Sequence, residues 1–236
     1  MKNSIILITI LLFSFDLNSQ SLIGAWERIK VNGSGIKEKQ TVIFSSNGFQ
    51  SISIFNAETG EFIYTNGGTW SLNGDDLIEK VEFDTRNPER VGSEGTFKII
   101  LKKKSLVGPD GHPWKKVDEG KPGKLEGAWL MAGRFRNGKK QMRKTDGPRK
   151  TMKLLSGKRF QWIAFNTETK QFMGTGGGTY TTKNGIYTEN IEFFSRDNSK
   201  AGLKLKFDFE VINSEWNHKG FSSKGDPMHE IWVKRE

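Results

Sequence analysis

Along most of the chain, apolar and polar positions alternate with a period of two, and turn residues interrupt the pattern at short intervals. Alternation of this kind marks half-buried strands, and no stretch carries a helical period of useful length. In the first half the pattern predicts strands over 41–44, 49–55, 61–70, 77–83 and 96–102. In the second half it predicts eight, over 128–135, 151–155, 159–165, 171–182, 186–194, 203–211, 215–221 and 228–234. Short turns such as Lys183-Asn184-Gly185 and Ser223-Lys224-Gly225-Asp226 join them. Successive antiparallel strands of this number close most economically into an up-and-down barrel, which removes exposed edges. Such a barrel is either filled by side chains or holds one small ligand.

The two halves are copies of one unit. FNAETGEFIYTNGGTW (Phe55 to Trp70) returns 110 positions later as FNTETKQFMGTGGGTY (Phe165 to Tyr180), and the offset then holds to Phe97/Phe207. It gives 15 identities in 43 positions, among them Phe55, Phe62, Thr65, Gly67, Gly68, Glu79, Glu82, Phe83 and Phe97. Unrelated chains of ordinary composition match at roughly 5 to 7 per cent of positions, so this is a tandem duplication. Each unit opens alike, with LIGAW at Leu22 to Trp26 and LEGAW at Leu125 to Trp129. A Gly two residues before a Trp allows close backbone approach while the indole fills one end of a core. The expected fold class is therefore all-β, two tandem eight-stranded barrels, with barrel 1 over 21–118, a linker over 119–124 and barrel 2 over 125–236. SLVGPDGHPWKKV, Ser105 to Val117, stands where the second unit has two full strands, so the last hairpin of barrel 1 is shortened.

The first 20 residues read as a secretory signal peptide, with Lys2 ahead of an apolar run from Ile5 to Phe15. That run is too short to cross a bilayer, and Asp16 interrupts it. The expectation is an exported protein, periplasmic or secreted, with no transmembrane segment after cleavage. The chain has no cysteine, which excludes disulfides, thiolate metal sites and a cysteine nucleophile. Charge is unevenly shared: Ser21 to Gly120 carries 13 Lys and Arg against 14 Asp and Glu, and Lys121 to Glu236 carries 23 against 12. Most of the excess falls between Arg134 and Arg159. It reads as a basic loop, Arg136, Lys139, Lys140, Arg143, Lys144, Arg149 and Lys150, placed to attract an anionic glycan, an acidic ligand or an envelope partner. Nucleic acid is set aside, since no helical basic region, zinc-finger spacing or RNP-like motif occurs.

The G-x-W opening, the GGTW and GGGTY strands, YTENIEFFS, WNHKG and the closing EIWVKR together resemble the bacterial lipocalin-like domain proteins, within the calycin group of β-barrels. The resemblance covers nearly all of the second unit and, in the first, fails at the last hairpin. It implies an eight-stranded barrel with an interior site for a small, mostly apolar molecule, and it brings no particular ligand.

On that view Trp129, Phe160, Trp162, Tyr180, Phe194 and Trp216 are core or pocket lining, and in a ligand-binding barrel the two roles overlap. Strict alternation places Glu192 and Phe194 on one face of their strand and Glu189 on the other, so only one carboxylate points inward. An inward set of Glu192, His218 and Glu230 would form a small ionisable cluster needing mutual partners. The leading expectation is a non-enzymatic binding module, with an amphiphile of acidic head group in barrel 2 and the basic loop at its entrance. A second is an envelope interaction module with filled barrels and a basic binding face. A third is an isomerase or hydrolase using the cavity Glu/His cluster. No catalytic residue, metal ligand or cofactor site is assigned: the three histidines lack ligand spacing, and the glycine run at 176–178 lies inside a strand pattern rather than a phosphate loop.

Overall fold

The computed structural model describes Leu22–Lys121 and Gly123–Glu236; the predicted signal peptide lies outside the described residues. The fold is two antiparallel β-barrels. Barrel 1 comprises β1 (Gly24–Val31), β2 (Lys37–Phe44), β3 (Phe49–Asn56), β4 (Phe62–Asn73), β5 (Asp76–Asp84), β6 (Glu94–Lys98), β7 (Ile100–Lys102), β8 (Ser105–Val107) and β9 (Pro113–Asp118). Its sheet runs β6-β5-β4-β3-β2-β1-β9-β8-β7. The end strands β6 and β7 are two halves of one strand bent at buried Ile99, so the covalent chain itself brings the ends of the sheet together.

Barrel 2 comprises β10 (Gly127–Arg136), β11 (Lys139–Met142), β12 (Arg149–Leu155), β13 (Arg159–Asn166), β14 (Phe172–Lys183), β15 (Ile186–Phe194), β16 (Lys204–Ile212), β17 (Glu215–Phe221) and β18 (Pro227–Lys234). The pairing of β10 with β18 closes the ring, and on the other edge of β10 its first part pairs with β12 and its last part with β11. The shortened hairpin of barrel 1 is visible directly: β8 has 3 residues where its counterpart β17 has 7. Among the described residues no helix is long and apolar enough to cross a membrane.

One correction concerns the basic stretch. The expectation is a basic loop, and part of it is strand: Asn137 and Gly138, both at positive φ, turn the chain back so that β11 pairs with β10, and 143–148 remain outside any strand. Arg-Asn-Gly-Lys is a hairpin sequence, because both central residues of that tight turn need positive φ. Lys140 then ion-pairs with Glu215, Arg143 donates to the Met131 carbonyl and Lys150 donates to the Thr145 carbonyl.

The opening Trp of each unit caps a core as anticipated. Trp26 Nε1 donates to the Leu22 carbonyl and Trp129 Nε1 to the Leu125 carbonyl, at 2.9 and 2.8 Å. The neighbouring Gly24 adopts φ +121°, and a Cβ there would lie 2.3 Å from the Asp118 carbonyl oxygen. No side chain fits at that approach.

The barrels share a wall. Ala25, Ile43, Phe49 and Phe83 of barrel 1 form one buried cluster with Ala128, Leu130, Met152, Leu154, Ile163 and Phe165 of barrel 2. The aromatic contacts across it are reciprocal. Phe55 stacks on Phe193 at 4.8 Å, its mirror pair Phe83 meets Phe165 at 4.9 Å, and the two equivalent residues Phe62 and Phe172 stack on each other at 5.9 Å. Gln161 bridges the two equivalent threonines, donating to Thr65 and Thr175. The repeat thus relates the barrels by an approximate two-fold axis through this seam. Ion pairs rim it: Arg235 grips Glu82, and Arg159 and Lys39 both hold Glu27 and Glu192. Many of the residues preserved between the copies are residues of this seam.

Candidate functional site

Barrel 2 contains a cavity of about 380 Å³. Its walls are mostly apolar: Trp162, Ala164, Met173, Ile191, Phe194, Leu205, Phe207, Met228 and Trp232. Its polar groups are Lys153, Glu189, His218 and Glu230 inside, with Arg149, Arg196, Ser222 and Ser223 also on the lining.

Bulge geometry decides which carboxylate points inward. β14 and β15 pair Gly177 with Phe193 and Gly178 with Ile191, leaving Glu192 as the extra residue. A bulge of this kind re-aims the side chains around it. Glu189 and Ile191 face the cavity, Glu192 and Phe193 turn out to barrel 1, and Phe194 returns inward. The expectation that Glu192 lines the cavity is therefore corrected to Glu189, because strict alternation fails at the inserted residue. Glycine is required opposite the bulge: a Cβ on Gly178 would stand 2.1 Å from the Asn190 carbonyl oxygen. Barrel 1 repeats the device, with Gly68 opposite Val81 and Glu82 as the extra residue. The repeated Gly-Gly-Thr is thus a structural requirement of the wall.

The other sequence-predicted residues divide. Trp162, Phe194, His218, Glu230 and, from the basic stretch, Arg149 line the cavity. Trp129, Phe160, Tyr180 and Trp216 are not on its lining; they are buried together in the core at the barrel's packed end. Tyr180 is fixed there by donating its hydroxyl to the Ser156 carbonyl. Arg136, Lys139 and Lys144 are exposed, outside the cavity.

The interior charges hold one another. Lys153 Nζ lies 2.7 Å from Glu189 Oε1 and 3.5 Å from His218 Nε2. It sits among the rings of Tyr187, Phe207, Trp216 and Trp232, at 5.1 to 5.8 Å from each centroid. Charge–π attraction and the carboxylate together offset the cost of burying an ammonium. Full burial, with the Lys153 charge alongside, lowers His218 to about 4, while Glu230 and Glu189 oppose the shift. His218 is therefore neutral near pH 7. Burial pushes Glu230 up, but His218, Lys153 and the Trp232 N–H outweigh it and hold the carboxyl below its usual range. Lys153 and Glu189 were not among the sequence-predicted site residues. The signal for Glu189 was its identity with Glu79 in the repeat.

The rim differs from the interior. Arg149 and Arg196 are both exposed, and among the described residues neither has a carboxylate partner. Arg196 spans the wall, donating to the Met173 carbonyl and lying 5.6 Å from the Trp162 ring. Among the described residues no group of three His, Asp or Glu side chains is placed to hold a metal ion.

Comparison with known proteins finds a likeness for the second unit alone. Residues 124–236 match the model of a domain of unknown function, DUF4488. No match is found among the curated proteins. Among solved structures the chain is similar to the Cpx pathway activator NlpE from Escherichia coli, at 9% identity over 91% of this chain and 93% of that one. The TM-score of that pair is 0.25, a superposition too loose to transfer any property.

Proposed function

We infer that the protein is an exported, non-enzymatic binding module that holds a small amphiphile with an acidic head group in barrel 2. The observation that carries this reading is the pairing of an apolar-walled cavity of about 380 Å³ with two arginines on its lining that lack carboxylate partners. Pockets of this size with convergent polar groups are the usual form of small-molecule sites. The apolar body packs against Trp162, Phe194, Leu205 and Met228, and the anionic head reaches Arg149 and Arg196. The interior cluster of Lys153, Glu189, His218 and Glu230 is mutually engaged, so it serves to shape the cavity floor rather than to exchange protons with a substrate. The exposed Arg136, Lys139 and Lys144 add a positive field that raises the encounter rate with anions.

Titration of the mature protein with sodium decanoate, followed by calorimetry at moderate salt, tests this. Saturable binding of one decanoate per chain is expected, about tenfold weaker in Arg149→Ala/Arg196→Ala, a loss of roughly 1.4 kcal/mol. Decanol binding should be unchanged by that pair of substitutions. Decanoate binding that ignores both arginines, or no binding at all, overturns the reading.

A further inference from the structure

Barrel 1 has a cavity of its own, of about 330 Å³. Its walls include Val42, Phe44, Ile52, Leu77, Phe97 and Trp114. Its charged lining consists of Arg28, Asp110 and Glu79. Arg28 is fully occupied: it ion-pairs with Asp110 at 2.7 Å, donates to Gln40 and the His112 carbonyl, and lies 4.1 Å over the Trp114 ring. Arg28 and Asp110 cancel.

Glu79 has no such partner. It is the counterpart of Glu189, but Val42 stands where barrel 2 has Lys153, and Gly108 where it has His218. Its backbone is paired in the sheet, but among the described residues the Glu79 carboxylate makes no hydrogen bond and no ion pair. The charged groups nearest in effect are already committed, since Arg90 binds Asp84 at 2.9 Å and the Tyr64 hydroxyl also donates to Asp84. Directly across the strand pair from Glu79 sits Trp70, whose buried indole N–H is also without a partner. A carboxylate in a mostly apolar chamber, with an aliphatic side chain where its counterpart in barrel 2 has an ammonium partner, lacks one thing: a cation carried on an apolar body.

We propose that barrel 1 is a second binding site, specific for a small apolar molecule bearing a protonated amine, whose ammonium takes the place that the lysine side chain occupies in barrel 2. The ammonium pairs with Glu79 and the alkyl or aryl body lies against Ile52, Phe97 and Trp114. The protein then carries two chambers of opposite charge preference, back to back across one seam. Burial raises Glu79 to about 7, which agrees with an unsatisfied carboxyl and sets the pH range in which an amine is held.

The test uses the full mature chain and n-octylamine, read by calorimetry and by quenching of tryptophan fluorescence at pH 8.5. One octylammonium per chain is expected to bind. Affinity should fall at least tenfold in Glu79→Gln and should weaken progressively as the pH is lowered through 7. The uncharged 1-octanol, by contrast, should bind Glu79→Gln at least as well as it binds the unaltered protein. Octylamine binding of equal strength in Glu79→Gln, or its absence from the unaltered protein, overturns the proposal. Circular dichroism establishes that Glu79→Gln is folded, and Val42→Lys, which supplies an internal partner like that of barrel 2, should abolish octylamine binding independently. The reading of barrel 2 stands or falls separately: decanoate binding should be unaffected by Glu79→Gln, and octylamine binding should be unaffected by Arg149→Ala/Arg196→Ala.

Discussion

The two cavities descend from one sequence and keep the same glutamate, yet only one of them kept or gained a cation to face it. In barrel 2, Lys153 lies between Glu189 and His218, and Glu230 lies 3.6 Å from His218, among aromatic side chains. In barrel 1, Glu79 lines a mostly apolar cavity whose one cationic side chain, Arg28, is already paired with Asp110. The difference teaches that a buried charge is defined by its neighbours rather than by its own position. The same carboxylate at the same register is part of the framework in one copy and an open valence in the other.

The largest expected effect comes from making barrel 2 resemble barrel 1. Lys153→Val removes the cation and strands Glu189, at a cost of about 3 to 5 kcal/mol in chemical unfolding at pH 7. Most of that loss should be recovered in acid, where the stranded carboxyl protonates. Little change at pH 7 would mean that the Lys153–Glu189 pair contributes nothing to the fold.

Next in size is the seam that both cavities share. Phe193→Ala should cost about 3 to 5 kcal/mol, as large aromatic truncations in packed cores do. Because Phe193 stacks on Phe55 and also meets Phe62, the double variant Phe55→Ala/Phe193→Ala should cost clearly less than the two single losses together. Additive losses would show that the two barrels are not energetically joined there.

The two cavities should then answer pH in opposite directions. His218 is held at about 4, below its unfolded value, so its contribution is present above the unfolded pKa and is lost as pH falls through 6.5 toward 4. Replacing it by Gln should flatten stability over that window by roughly 2 to 3 kcal/mol. Glu79 is raised to about 7, so its contribution is present below its unfolded pKa and is lost as pH rises from 4.5 through 7. Glu79→Gln should therefore stabilise the protein at pH 8 by about 2 kcal/mol and change nothing at pH 4. The smallest effect belongs to the hairpin: the part-exposed Lys140–Glu215 pair should contribute no more than about 1 kcal/mol, measured by Lys140→Ala.

Much of this was legible in the sequence. The alternating pattern located the main strands of barrel 2, and the 110-residue offset gave the duplication and the truncated hairpin. Three features were not legible, each for a physical reason. An inserted residue at Glu192 breaks the period of two, so counting by alternation selects the wrong carboxylate. The hairpin of β10 and β11 lies in a charged stretch where polarity hides the turn signal of Asn137-Gly138. The seam is built on faces that a lone barrel turns toward water, and alternation does not distinguish an outer face that is wet from one covered by a second barrel. The clue was there in Phe55, Phe62, Thr65 and Phe83, all repeated and mostly apolar on that outer side.

That reciprocal seam also bears on how the molecule can change. When two separate copies meet face to face, every substitution is made twice, and a lysine introduced into one chamber appears in the other. Tying the copies into one chain lifts that coupling while the matched aromatic pairs keep the halves in register. One lobe can shorten a hairpin and leave a carboxylate bare while the other keeps its hairpin and a lysine beside the matching carboxylate. The fused pair is free to become asymmetric everywhere except along the line where it must still agree with itself.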